Sequence, residues 1–154
     1  MKRKTTLKRC TFLEGLQFCG LVIIPITVNN KTRYFLLDTG SQRNGVSDAD
    51  AETMSAFKQN KGQMLETQGL DGHTCVTPFG RLSYDIAGQT FEVNCFIISG
   101  KTFASLNQEL GYEISGLMGV EFMRKHNCII DFATNTVTVD VGGKDESFDD
   151  GKAA

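Results

Sequence analysis

Two runs of alternating residues constrain this chain most. Leu82, Tyr84 and Ile86 interleave with Arg81, Ser83 and Asp85, and Phe91, Val93, Cys95 and Ile97 follow at the same period of two. Ala87-Gly88-Gln89 between them has turn chemistry, so the pair predicts a β-hairpin with one buried face. A second hairpin is predicted by the apolar, β-branched run Cys19–Val28, the turn Asn29-Asn30-Lys31 and the run Thr32–Asp38. A third closes the chain: Cys128–Phe132 and Thr136–Val141 around Ala133-Thr134-Asn135. Sixteen glycines against two prolines, with eleven Phe and no Trp, agree with a turn-rich β protein. Helical expectations are few. Ser47 is placed to cap a short helix with Ala51, Met54 and Phe57 as its buried stripe, and Gly119–His126 predicts another with Phe122 inward. The segment Ser99–Gly111 reads as looser.

With 154 residues there is room for one domain, and 40% hydrophobic with 22% charged residues is an ordinary globular balance. The chain divides into a basic N-terminal segment (1–15), a folded domain (16–141) and an acidic, disordered tail (142–154). The net charge of −2 hides this asymmetry. Residues 1–9 carry five bases and no acid, and residues 140–154 carry five acids against two lysines. A basic arm can meet nucleic acid, but a solvated tail is the expectation, so nucleic acid is not the expected partner. Five cysteines with no Cys-x-x-Cys pair and only two histidines predict reduced thiols, no metal site and no cofactor. Glu14 interrupts the apolar stretch after the basic start, and Gly15–Asn30 is too short to span a bilayer. A cytoplasmic protein with no membrane span is the expectation.

Chemistry concentrates in Phe35-Leu36-Leu37-Asp38-Thr39-Gly40-Ser41. An apolar strand delivers a carboxylate to a tight turn. There the Thr39 hydroxyl can bond backbone at the turn base, and Gly40 lets backbone N–H groups approach the carboxylate. Alone, Asp-Thr-Gly is a common loop sequence. Ser41 has no partners for a serine-hydrolase triad. Asp131-Phe132 lacks a tight turn, so Asp131 reads as an acid at a strand end. His73 reads as an exposed loop residue and His126 as a helix C-terminal cap. Cys128 reads as an inert buried thiol.

The string Leu36-Leu37-Asp38-Thr39-Gly40-Ser41, followed by Leu117-Met118-Gly119-Val120-Glu121-Phe122-Met123 and Cys128-Ile129-Ile130-Asp131-Phe132, resembles the retropepsin-like aspartic proteases. The stretch Met118–Phe132 is also similar to the protease domain of DNA-damage-inducible shuttle proteins. The resemblance covers residues 20–141 and implies a mostly β, single-lobe, closed β-barrel-like fold with one or two short helices. It implies that Asp38 is catalytic with Thr39, Gly40 and Ser41 supporting its turn, and that Leu117, Met118 and Gly119 hold the active-site loop. Gly69-Leu70-Asp71-Gly72 would supply a substrate-binding flap. Viral members pair an acid after the turn with an arginine after the second glycine. Here those places hold Gln42 and Val120, which points to a non-viral branch.

Such chemistry needs two carboxylates sharing a proton, and this chain has one Asp-Thr-Gly. The expectation is therefore a homodimeric aspartic endopeptidase in which Asp38 of each copy meets at a two-fold axis, acting on a peptide or protein substrate. A dimer of this fold that grips peptides without cutting them is the alternative.

Overall fold

The structure, a computed structural model, describes residues 7–11, 21–68 and 72–140. Strands β1 (Leu7–Thr11), β2 (Val22–Val28), β3 (Lys31–Leu37) and β4 (Asn44–Ser47) lead to helix α1 (Ala51–Ala56). Strands β5 (Lys58–Gln68), β6 (Thr74–Ile86) and β7 (Gln89–Ile98) follow. A 3-10 turn, Gly100–Phe103, runs into α2 (Ala104–Leu110), and then come β8 (Ile114–Met118), α3 (Val120–Lys125), β9 (Ile129–Asp131) and β10 (Thr136–Asp140).

Seven strands form one sheet in the order β2-β3-β8-β4-β7-β6-β5, and β2 also touches β6 at Thr27 and Asp85. That last pairing closes the first six into a barrel. The remaining three form a separate sheet in the order β1-β10-β9.

Hairpin turns follow the expected chemistry. Asn29 and Asn30 have φ of 51° and 65°, and Ala87 and Gly88 have 51° and 84°. Two successive positive φ angles twist a two-residue turn to match the right-handed twist of its strands. Asparagine tolerates that conformation better than most residues, and here the Asn29 Nδ2 donates across to Glu52 Oε2 at 3.1 Å, while Gly88 has no Cβ to clash.

Period-two alternation splits the core in two. On β3, Phe35 and Leu37 join the main cluster with Ile24, Ile26, Leu82, Tyr84, Phe91, Met118 and Phe122. Leu36 and Tyr34 face the other way, into a second cluster with Ile23, Ile114 and Leu117. Phe103, Leu106 and Leu110 cover this second cluster. They belong to the segment expected to be loose, which instead folds as the 3-10 turn and α2. Spacings of three and four residues put its apolar side chains on one face. Gly111, at φ 81°, ends it in the left-handed conformation.

The sequence predicts one or two short helices, and the described residues contain three, of six or seven residues each. The cap of α1 also differs from expectation. Ser47 is buried at the end of β4, and its Oγ accepts from Ala49 N at 3.2 Å. Asp50 caps α1 instead, accepting from Glu52 N at 3.1 Å. Of the expected stripe, Met54 and Phe57 do pack against the main core, while Ala51 is exposed and Thr53 is the fully buried residue of α1. Phe57 turns extended, at ψ 133°, and leads straight into β5. Helix α3 does turn Phe122 inward, at 1% exposure. No helix among the described residues is long and apolar enough to cross a membrane.

Candidate active site

Asp38 follows the last residue of β3, and its position is set by strands far away in sequence. Leu36 and Leu37 lie opposite Leu117 and Met118 in parallel register, and the Asp38 N–H donates to Met118 O at 2.9 Å. The chain then reverses, with Ser41 N donating to Asp38 O at 3.1 Å. Gly40 N donates to Asp38 Oδ1 at 2.8 Å, and a Cβ at Gly40 would sit 3.1 Å from that oxygen. This is the close backbone approach expected of Gly40. The expectation for Thr39 fares differently. Thr39 is exposed on the turn, and the hydroxyl that bonds backbone at its base is that of Ser41, which donates to Arg43 O at 2.8 Å.

Helix α3 is fastened to the same loop. Its first N–H groups have no partners within a helix. Here Val120 N donates to Ser41 O at 2.8 Å and Glu121 N to Gln42 O at 2.9 Å. Gly119, just before, is pressed so close that a Cβ would lie 2.4 Å from Arg43 O and 2.6 Å from Ser41 O. Any larger residue there would displace the loop. Gly116, in the middle of β8, is packed just as tightly, and a Cβ there would come within 2.5 Å of both Gly45 O and the Phe35 ring.

Asn44 escapes sequence reasoning. It is 3% exposed, its Oδ1 accepts from Gly119 N at 2.9 Å, and its Nδ2 donates to Asn94 O at 3.1 Å. It thus ties β4, β7 and the start of α3 together beside the Asp38 turn. Its one local signal is a polar residue opening an otherwise buried strand. Gln42 and Val120 carry no charge pair, as expected. One position along, Arg43 Nη1 lies 3.9 Å from Glu121 Oε2.

Of the four flap residues, Gly69, Leu70 and Asp71 lie outside the described residues. Gly72 is described, with φ 86°. The strands on either side, β5 and β6, pair antiparallel from Gln68 opposite Thr74 down to Lys58 opposite Arg81. The hairpin that would carry a flap is therefore present.

Asp131 belongs to the other sheet, and its Oδ1 accepts from Ala133 N at 2.8 Å and Thr134 N at 3.3 Å, closing the β9–β10 turn. Strand β9 is an edge of that sheet, and Ile129 and Phe132 beside it are 57% and 64% exposed. His126 is buried between the Phe91 and Phe122 rings, with Nδ1 3.0 Å from Asp140 O. It is the C-cap residue of α3, as expected, with its N–H donating to Phe122 O at 3.1 Å, and from there it also packs the end of α3 against β10. Among the described residues, no group of three or more His, Cys, Asp or Glu could hold a metal.

Asp50 is a second buried carboxylate. Its Oδ2 accepts from Thr53 Oγ1 at 2.6 Å and lies 3.0 Å from Arg33 Nε. Burial pushes this carboxyl up, but the nearby Ser115 hydroxyl, the hydrogen bond from Thr53 and the Arg33 guanidinium outweigh burial and hold it below its ordinary value. Every partner is structural, so Asp50 braces the barrel. Asp38, by contrast, is half-buried at a loop apex, with Gly40 N the hydrogen bond to its carboxylate.

The sequence profile of a family described as aspartyl protease matches residues 24–122. Two solved structures share the fold. A retropepsin-like aspartic protease from Rickettsia conorii superposes with a TM-score of 0.51 at 16% identity, covering 91% of this chain and 96% of its own. The retroviral protease-like domain of Ddi1 from Leishmania major gives 0.53 at 17% identity, covering 77% and 87%. No curated protein sequence matches the chain. The barrel is the single-lobe retropepsin-like fold.

Proposed function

Because the chain belongs to the aspartyl protease family, we propose that it is an aspartic endopeptidase that works as a homodimer, with Asp38 of each copy forming the catalytic pair. The observation that carries this reading is the Asp38 turn. One carboxylate is presented at a loop apex, oriented by Gly40 N, with its backbone clamped by Met118, Val120 and Glu121. Such preorganisation suits a group that must hold a water and a peptide carbonyl in fixed geometry.

The turn supplies half of the chemistry. Two carboxylates a hydrogen bond apart cannot both ionise readily, so the pair holds one proton. The ionised member takes a proton from water as the water oxygen attacks the peptide carbonyl carbon. The protonated member donates its proton to the carbonyl oxygen. The tetrahedral diol then collapses: one diol hydroxyl returns its proton to the pair's ionised carboxylate, the C–N bond breaks, and the leaving nitrogen takes the proton held by the other. This leaves an acid, an amine and a pair holding one proton again. Gly40 and Ser41 hold the turn and Thr39 sits exposed on it, Leu117, Met118 and Gly119 form its floor, and the β5–β6 hairpin with residues 69–72 covers an extended peptide. Among the described residues β9 is the last strand of its sheet, and the large exposed apolar surface of Ile129 and Phe132 supports self-association.

The test is Asp38→Asn. Peptide cleavage should fall by at least about a thousandfold, while sedimentation shows an unchanged dimer. Wild-type specific activity should also drop on dilution as the dimer dissociates. Cleavage by Asp38→Asn at the wild-type rate would refute the assignment, and activity strictly proportional to concentration down to the monomer would refute the shared site.

A further inference from the structure

Arg43 connects the Asp38 loop to the root of the β5–β6 hairpin. Its carbonyl belongs to the loop, accepting from Ser41 Oγ at 2.8 Å. Its guanidinium lies over the Phe79 ring, 5.5 Å from the centroid, and Phe79 is in β6, the strand paired antiparallel with β5. A strand laid between Asp38 and the hairpin therefore passes this cation at one end.

The charge there is poorly neutralised. Glu121 is 3.9 Å away, and the two side chains are 38% and 41% exposed, so the pair is long, hydrated and of little worth. Two residues past Phe79, on the same face of β6, Arg81 is exposed, and Lys58 of β5 stands directly opposite it. Like charges opposed across a sheet destabilise it. Among the described residues neither Lys58 nor Arg81 has an ion-pair partner. Arg81 and Lys58 thus oppose each other two residues along the strand that carries Phe79, the ring under Arg43, in a chain whose net charge is −2.

We propose that Arg43, backed by Arg81 and Lys58, is a specificity determinant that receives an acidic side chain of the peptide, so that the enzyme favours Asp or Glu a few residues from the scissile bond. The stacked guanidinium keeps its N–H edges for a carboxylate, and a substrate acid replaces Glu121 at small cost because that pair is loose. This inference rests on the protease reading of the same cleft.

The experiment compares fluorogenic peptides with one apolar scissile pair and Glu or Gln at each of four positions on either side. At low salt, Glu at one position should raise kcat/KM about fivefold, chiefly through KM, because the contact is made in the ground state as well as the transition state. In 0.5 M salt the ratio should shrink toward one. Arg43→Met should abolish it and Arg43→Glu should invert it, with Arg81→Met weakening it. The same Glu and Gln peptides are also titrated by anisotropy against Asp38→Asn, which needs no cleavage. Preference for Glu in that binding assay, lost in the Asp38→Asn/Arg43→Met double variant, supports the shelf even if wild type cuts nothing, an outcome that would instead sink the protease reading. Equal handling of Glu and Gln at all positions, or a Glu preference that survives Arg43→Glu, overturns the shelf and leaves the protease reading standing.

Discussion

Asn44 gives a direct measure of how the Asp38 loop is held. Its Oδ1 accepts the buried Gly119 N–H and its Nδ2 reaches the partly buried Asn94 carbonyl. Asn44→Ala removes both contacts. The Gly119 N–H has no other acceptor described, and an orphaned buried donor costs about 1–3 kcal/mol, while the Asn94 bond contributes about 0.5–1.5 kcal/mol. The expected loss is thus about 2–4 kcal/mol. With a urea m-value of about 2 kcal/mol/M, the unfolding midpoint falls by about 1–2 M. The measurement is equilibrium urea unfolding at fixed protein concentration, since dimerisation would otherwise move the midpoint. Asn44→Leu, which fills the space without the polar atoms, should lose nearly as much, because the orphaned N–H rather than a cavity carries the penalty. Cleavage should fall about 10- to 100-fold in both as the turn loosens. A midpoint within 0.3 M of wild type (roughly 0.6 kcal/mol at that slope) would refute the clamp, and full stability in Asn44→Leu alone would show that packing dominates.

Two further outcomes follow from buried groups. The folded-state value of Asp50 is held below its ordinary one, so the folded form prefers the carboxylate. Its stabilisation is present above the unfolded value, near about pH 3.9, and is lost as pH falls through the folded value. Asp50→Asn should cost about 1–3 kcal/mol at pH 7, and the gap to wild type should close below about pH 4 in urea titrations; a gap independent of pH would refute the role of the charge. Burial, helped by Glu121, pushes the Cys95 thiol up to about 12. At pH 8 a maleimide should therefore modify exposed Cys75 quickly and Cys95 only after unfolding, as mass mapping would read; native-state labelling of Cys95 at the rate of Cys75 would contradict its burial.

What the sequence made legible was local. The hairpins at Asn29-Asn30 and Ala87-Gly88 were readable because alternation and turn chemistry lie within a dozen residues. Phe122 announced its inward face by helical spacing. The Asp38 turn could be read because an apolar strand runs into Asp-Thr-Gly and that string, together with Leu117-Met118-Gly119, resembles a known family, whereas the bonds that clamp the turn in place come from distant residues. By contrast, the Asn44–Gly119 bond spans 75 residues, and a polar residue opening a short strand does not say which distant N–H it will meet. Ser47 and Asp50 are both good cap residues three positions apart, and what chose between them was that β4 needed Ser47 for its buried end. Helix α2 did carry a signal, in Phe103, Leu106, Leu110 and Gly111, but a helix of seven residues has too few turns for its period to stand out.

The route by which the barrel closes has a consequence for biosynthesis. Strand β3 pairs with β8, Leu36 opposite Leu117, and β1 pairs with β10, Leu7 opposite Asp140. At ordinary translation rates, roughly 5–20 residues per second, the Asp38 turn waits several seconds for Met118 to be made. Until then its amide has no strand to lean on, although the β2–β3 hairpin can already form. Contacts at such separation make folding slow. A nascent chain therefore carries its aspartate without the floor that aims it until β8 has been made, and the turn acquires its shape only after the strands on either side of it have docked.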